Sequence, residues 1–127
     1  MATIRNKARL LRRMQRIPPE VKKALRTQLE KNANELVQTV KNFAPVDDGL
    51  LRASVMQEDA SDATKISRRV SADAKDEKGR PYGRWVEFGT TKSEARPFFW
   101  VSYRLKKRRF KSRMARAAKK AIADAVK

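Results

Sequence analysis

Carboxylates and basic groups are the main chemical resource of this chain, because its 127 residues include neither histidine nor cysteine. That composition removes a Ser-His-Asp triad, a cysteine nucleophile and any zinc site built on imidazole or thiolate. Asp47 and Asp48 are adjacent, and with Glu87 they could hold a hard cation or serve as an acid–base pair. The same aspartates also suit a plainer purpose, shaping a turn ahead of an extended segment and accepting bonds from its backbone amides. The plainer purpose is the one expected. The four glycines stand far apart, so no phosphate-cradling loop can form. No catalytic residue, metal site or cofactor is expected, and the chain does not read as an enzyme.

Positive charge is the other resource. The net charge is +18, and it is concentrated at the two ends. Residues 1–16 carry six basic side chains (Arg5, Lys7, Arg9, Arg12, Arg13, Arg16) and no acid. Residues 104–127 carry eleven basic side chains against one acid, Asp124. Between them, residues 17–103 hold fifteen basic and thirteen acidic groups, a nearly neutral body. Like charges this dense repel one another and call for counterions, acidic partners or phosphates. The six N-terminal cations and the run Lys106, Lys107, Arg108, Arg109, Lys111 and Arg113 are therefore the expected contacts to a partner protein or to DNA. Trp100, Tyr103 and Phe110 beside that run could stack on bases. Trp100 and Tyr103 also fall where a small sheet needs a helix to cover it, so core is the expectation for them. An architectural nucleic-acid-binding protein is the alternative function that this composition supports.

The elements that must position these groups follow from periodicity. Ile4 to Ile17 reads as a short basic amphipathic helix, stopped by Pro18 and Pro19. Val21, Leu25, Leu29, Ala33, Leu36, Val37, Val40 and Phe43 then recur at steps of three and four, predicting a long helix that ends before Pro45. After the turn Asp47-Asp48-Gly49, the alternation of Leu51, Ala53 and Val55 predicts a strand. Thr64 to Ala72 is a second candidate strand, Asp73 to Arg80 a charged loop, and Tyr82 to Phe88 a third strand with Val86 and Phe88 on one face. Gly89 is expected to take a backbone angle that other residues resist. Pro97 opens a last helical segment with Phe98, Phe99, Trp100, Val101 and Tyr103, continuing to Lys127. The plan is α+β: a long N-terminal helix, a small antiparallel sheet of two to four strands, and a C-terminal helix. The expected division is a basic arm over 1–17, an α+β domain over 18–105 and a basic helical extension over 106–127.

No apolar run approaches the ~18 residues of a membrane span, so no membrane partner is expected. The opening Met-Ala-Thr-Ile-Arg-Asn lacks the apolar stretch of a secretory signal, and the absence of cysteine leaves no disulfide framework. A soluble protein made in a cytoplasm is the expectation.

Two stretches carry a resemblance. Ala44-Pro45-Val46-Asp47-Asp48-Gly49-Leu50-Leu51-Arg52-Ala53-Ser54-Val55 resembles the signature APVDTG.LR.S of a family of phage tail components. That family includes the tail-completion and head–tail joining proteins of lambda-like siphophages. Tyr82-Gly83-Arg84-Trp85-Val86-Glu87-Phe88-Gly89-Thr90, followed by Arg96-Pro97-Phe98-Phe99, resembles its second signature, YA.YVEFGT…QPFL. The order and separation of the two segments fit, as does the long helix ahead of the first, and the likeness spans roughly residues 10–105. Asp48 stands where the family has Thr, Trp85 where Tyr is common, Arg96 where Gln is usual, and Trp100-Val101 where Arg-Pro often follows.

The resemblance implies a small subunit that assembles as a ring, sixfold to match a tail tube, between the head connector and the tube. It would reside in the virion, after assembly in the host bacterial cytoplasm. Its partners would be copies of itself, adjacent neck and tube proteins, and packaged DNA in the channel. The motif residues are expected to act as architecture. Pro45 stops the helix; Asp47 and Gly49 turn the chain into the first strand, which holds Leu51, Arg52 and Ser54. Phe88 and Phe98 pack the sheet against helices, with Trp85, Val86, Gly89, Thr90 and Pro97 shaping the segment between. Glu87, on the opposite face, would pair with Arg52 or a neighbouring subunit.

Overall fold

Two prolines open the first helix of the computed structural model, which describes residues 16–45, 49–63, 65–80, 82–92 and 94–125. The basic segment through residue 15 and both Asp47 and Asp48 lie outside the described residues. Helix α1 runs Pro19–Phe43. Pro19 sits in the first turn, where its missing amide proton is no loss, and Glu20 complements the positive end of the helix dipole. Val21, Ala33, Leu36, Val37 and Val40 are buried along one stripe, as the spacing requires. Ala44 leaves the helix in an extended conformation, the one that sterics ahead of Pro45 favour.

The expected strand over Leu51 to Val55 is instead a five-residue helix, α2, Leu50–Ser54. Gly49 leads into it with φ 77, so the turn feeds a helix before any strand begins. The reason lies in the spacing. Leu51 and Val55, four apart, are each 3% exposed, whereas Ala53 between them faces solvent. A helical turn buries the two large side chains together; an extended chain would have buried Ala53 with them.

Strand β1, Val55–Asp59, follows directly and pairs with β2, Arg68–Ala72. The two form an antiparallel sheet with Val55 opposite Ala72 and Asp59 opposite Arg68. The chain then makes a tight turn rather than a loose charged loop. Asp76 accepts the amides of Lys78 and Arg80 at 2.9 and 2.8 Å, and the Arg80 side chain at 3.0 Å. The Arg80 amide first, then its guanidinium, hold the Asp76 carboxyl below its ordinary range.

The segment expected as a third strand is helical too: α3, Gly83–Phe88. Gly83 lies so close to β2 that a Cβ there would meet the Ala72 carbonyl oxygen at 2.8 Å. Gly89 ends the helix at φ 78, ψ 171, the special angle anticipated for it. Helix α4, Phe99–Ala125, returns along α1 in the opposite direction, since Glu35 meets Lys106 and Arg113 while Glu20 faces Asp124 across a groove.

The core gathers Leu36, Val37, Val40, Ala44, Leu51, Val55, Ala74 and Phe98, with Val70, Tyr82, Val86, Phe99 and Phe110 packed against it. Three aromatic expectations need correction. Phe88 is 67% exposed and does not pack the sheet, because in a helix it points away from Gly83 and Glu87. Trp100 and Tyr103 are 50% and 36% exposed, because α4 turns Phe99 and Phe110 to the core instead.

Candidate functional site

The second signature and the start of α4 are joined by one carboxylate. Glu87, 7% exposed, accepts the amides of Phe98 and Phe99 through Oε2 at 2.8 and 2.9 Å and that of Trp100 through Oε1 at 3.1 Å. The first amides of a helix have no partner within it, and a negative charge there also meets the positive end of the helix dipole. Capping is usually done by the residue just ahead of the helix; here it comes from eleven residues upstream. Arg96 adds a second tie, donating its amide to the Val86 carbonyl at 2.8 Å. Glu87 does not pair with Arg52, whose Nε instead donates to the Lys41 carbonyl at 2.8 Å.

A second cluster joins the two long helices. Glu35 on α1 lies 3.5 Å from Lys106 Nζ and 3.4 Å from Arg109, and it also bonds Arg113. Positions 106, 109 and 113 recur at steps of three and four, so one side of α4 delivers all three cations to one acid. Nearby, the buried Asn32 accepts from Gln28 at 3.0 Å and donates to the Phe110 carbonyl at 3.5 Å. The cationic run therefore has two faces. Lys106, Arg109 and Arg113 bind their own chain, whereas Lys107, Arg108 and Lys111 are exposed and pair with no described residue.

The remaining motif residues are scaffolding or surface. Pro45 is half-buried beyond α1, Leu51 is in the core, and the Ser54 hydroxyl donates to the Leu51 carbonyl at 2.7 Å. Trp85 is 39% exposed under the Arg80 guanidinium, which lies 5.4 Å from its ring centre. Val86 packs on the core, Thr90 and Pro97 lie at the surface, and Phe98 is 1% exposed. Arg16 is exposed, and Arg5, Lys7, Arg9, Arg12 and Arg13 fall outside the described residues. From Phe98 to Tyr103 the rings meet edge to face, with Trp100 and Tyr103 centroids 6.1 Å apart. Phe88 and Trp100 border one shallow hollow beside β2. Among the described residues no three acids converge as a metal site would need, and no helix is long and apolar enough to cross a membrane.

Sequence reasoning missed Glu35 and mistook the role of Glu87. The signal for Glu35 was present: an acid flanking the apolar stripe of α1, and cations spaced for one face of α4. Nothing in the spacing of Glu87 could reveal its role, because a cap donated across eleven residues depends on how the loop folds back.

The scaffold is α+β, two long helices packed with a two-stranded antiparallel sheet and two short helices. The model of the HK97-gp10-like family, tail components of bacteriophages, matches residues 8–89, well over half of the chain and inclusive of both Ala44–Val55 and Tyr82–Gly89. The chain belongs to that phage tail-component family. The match stops short of Pro97, Phe98 and α4. No curated protein and no solved structure gave a match.

Proposed function

We propose that the protein is a structural subunit of the phage neck, forming a ring between the head connector and the tail tube as a tail-completion or head–tail joining component. It works by binding geometry and catalyses nothing. The observation that carries this reading is how the second signature divides its side chains. Glu87 is consumed in holding α4, while its neighbours Trp85 and Phe88, with Trp100, present aromatic surface to solvent. Exposed aromatic clusters of this kind commonly mark protein contacts. Phe43, Leu50 and Met56, each about half exposed, supply further apolar surface for a neighbour.

Identical subunits joined head to tail close into a ring when the rotation between them closes. Permanent interfaces of that kind bury on the order of 2,000 Å² or more. Six copies would match the symmetry of a tail tube. The site of action is the virion, reached after assembly in the host bacterial cytoplasm, with connector and tube proteins as neighbours.

Electron microscopy of the purified chain, alone and mixed with tail tubes, tests the reading. Closed rings of about six copies, seated on tube ends, are the expected result. The exposed-surface variant F88S/W100S should keep the fold by circular dichroism yet lose rings and tube binding. A wild-type chain that stays monomeric at high concentration and ignores tube ends would reject the ring.

A further inference from the structure

The outward side of α4 carries a row of exposed basic side chains. Arg104, Lys107, Arg108, Lys111 and Lys119 recur at steps of three and four, with Ala115 the one interruption, and all five are exposed. They form a ridge about 22 Å long at 1.5 Å per residue. It lies away from the side that binds Glu35. From Phe99 to Ala123 the helix contains no acid at all, and Asp124 in its last turn is the one acid on α4. None of the five pairs with a described residue.

We infer that this ridge rests on the phosphate backbone of duplex DNA, without reading its sequence. Charge complementarity selects the occupant. Among its described residues a second copy of the chain gathers no three acids in one cluster that could cover the ridge. Its body is nearly neutral, and three acids of the hairpin and the following turn already meet their own cations: Glu58 with Arg69, Asp59 with Arg68, Asp76 with Arg80. Duplex DNA offers one negative charge per about 1.7 Å of its axis, a density that a row of long basic side chains can follow. A row of long basic side chains running along one helix face follows phosphates, contacts that position DNA without selecting a sequence. The inward cations make this possible. By fixing Lys106, Arg109 and Arg113 on α1, Glu35 orients the helix so that the five ridge residues face outward, while Arg116 and Lys120 border the groove beside Glu20.

This contact goes beyond the ring and does not depend on it, since duplex binding is measured on the chain whether or not rings close. The test is the affinity of the full chain for a short mixed-sequence duplex across a salt series. Five neutralised phosphates correspond to a log–log slope of about −4.5. In R104Q/K107Q/R108Q/K111Q/K119Q the slope should become shallower by about 4, with affinity near 0.1 M salt falling at least about 100-fold. The control K23Q/K31Q/K65Q/K75Q/K78Q removes equal charge from exposed sites on the body and should change affinity by less than about 3-fold. Should the fivefold ridge variant fail to fold by circular dichroism, R108E/K111E carries the same comparison.

Equal losses in ridge and control variants would overturn the assignment, as bulk charge would then explain binding. A wild-type chain with no salt-dependent duplex binding would overturn it too. If ridge variants instead lost binding to connector or tube proteins, the occupant would be an acidic protein surface and not DNA.

Discussion

Glu87→Ala should destabilise the fold by about 3–5 kcal/mol, measured as a lowered urea midpoint at unchanged slope. Three amides at the start of α4 lose their acceptor at once, and the site is buried, so water cannot fully replace the carboxylate. Hydrogen bonds to a charged group contribute about 1.5–3 kcal/mol each, and those sharing one acceptor do not add fully. A domain of this size has a total stability of about 5–15 kcal/mol, so the variant approaches the limit of folding. Glu87→Gln keeps one acceptor oxygen but turns an amide donor toward other donors, and about half the loss is expected. A change below about 1 kcal/mol for alanine would show that the cap contributes no more than an ordinary surface contact.

Phe98→Ala should cost a similar amount, about 3–5 kcal/mol, by a different route. Phe98 is 1% exposed and sits among Val40, Leu51 and Val55 in the cluster that joins α1, α2 and the sheet. Truncation removes the ring and leaves a cavity that surrounding elements cannot close. Trp100→Ala, at a side chain half exposed two residues on, should cost well under half as much. Differential scanning calorimetry of the two variants side by side makes the comparison. Equal losses at both positions would mean that α4 docks on the sheet through its exposed face as well.

The two variants bear on how much of this molecule was legible in its residues. The long helices were, because more than five turns of a stripe such as Val21 to Val40 leave one reading of which face is inward. So were the stop before Pro45, the second strand of the hairpin within Thr64 to Ala72, and the special angle at Gly89. The short elements were not. Leu51, Ala53 and Val55 satisfy a period of two and a period of four alike, and only packing against α1 and β2 decides between them. In Tyr82 to Phe88 the aromatic and branched residues favoured a strand, yet Gly83 against the Ala72 carbonyl and Glu87 against α4 both require a helix. The aromatics after Pro97 were misassigned for a related reason. Hydrophobicity marks Phe98, Trp100 and Tyr103 equally, but only Phe98 lies inside once Glu87 has fixed the first turn of α4.

The division of α4 into two cationic faces belongs with those hidden features. Composition shows a block of charge; it takes the antiparallel return of α4 along α1 to show that three of its members bind Glu35 while five others line the opposite face. Both faces trace back to carboxylates on other elements, Glu87 fixing the start of the helix and Glu35 its rotation.

Virion assembly in the absence of this chain is the most direct test of its role. Phage carrying a nonsense codon in its gene should accumulate filled heads and complete tails that remain apart in electron micrographs, with infectivity restored by wild-type protein supplied in the host. Normal numbers of joined, infectious particles from the same phage would contradict a structural role at the junction.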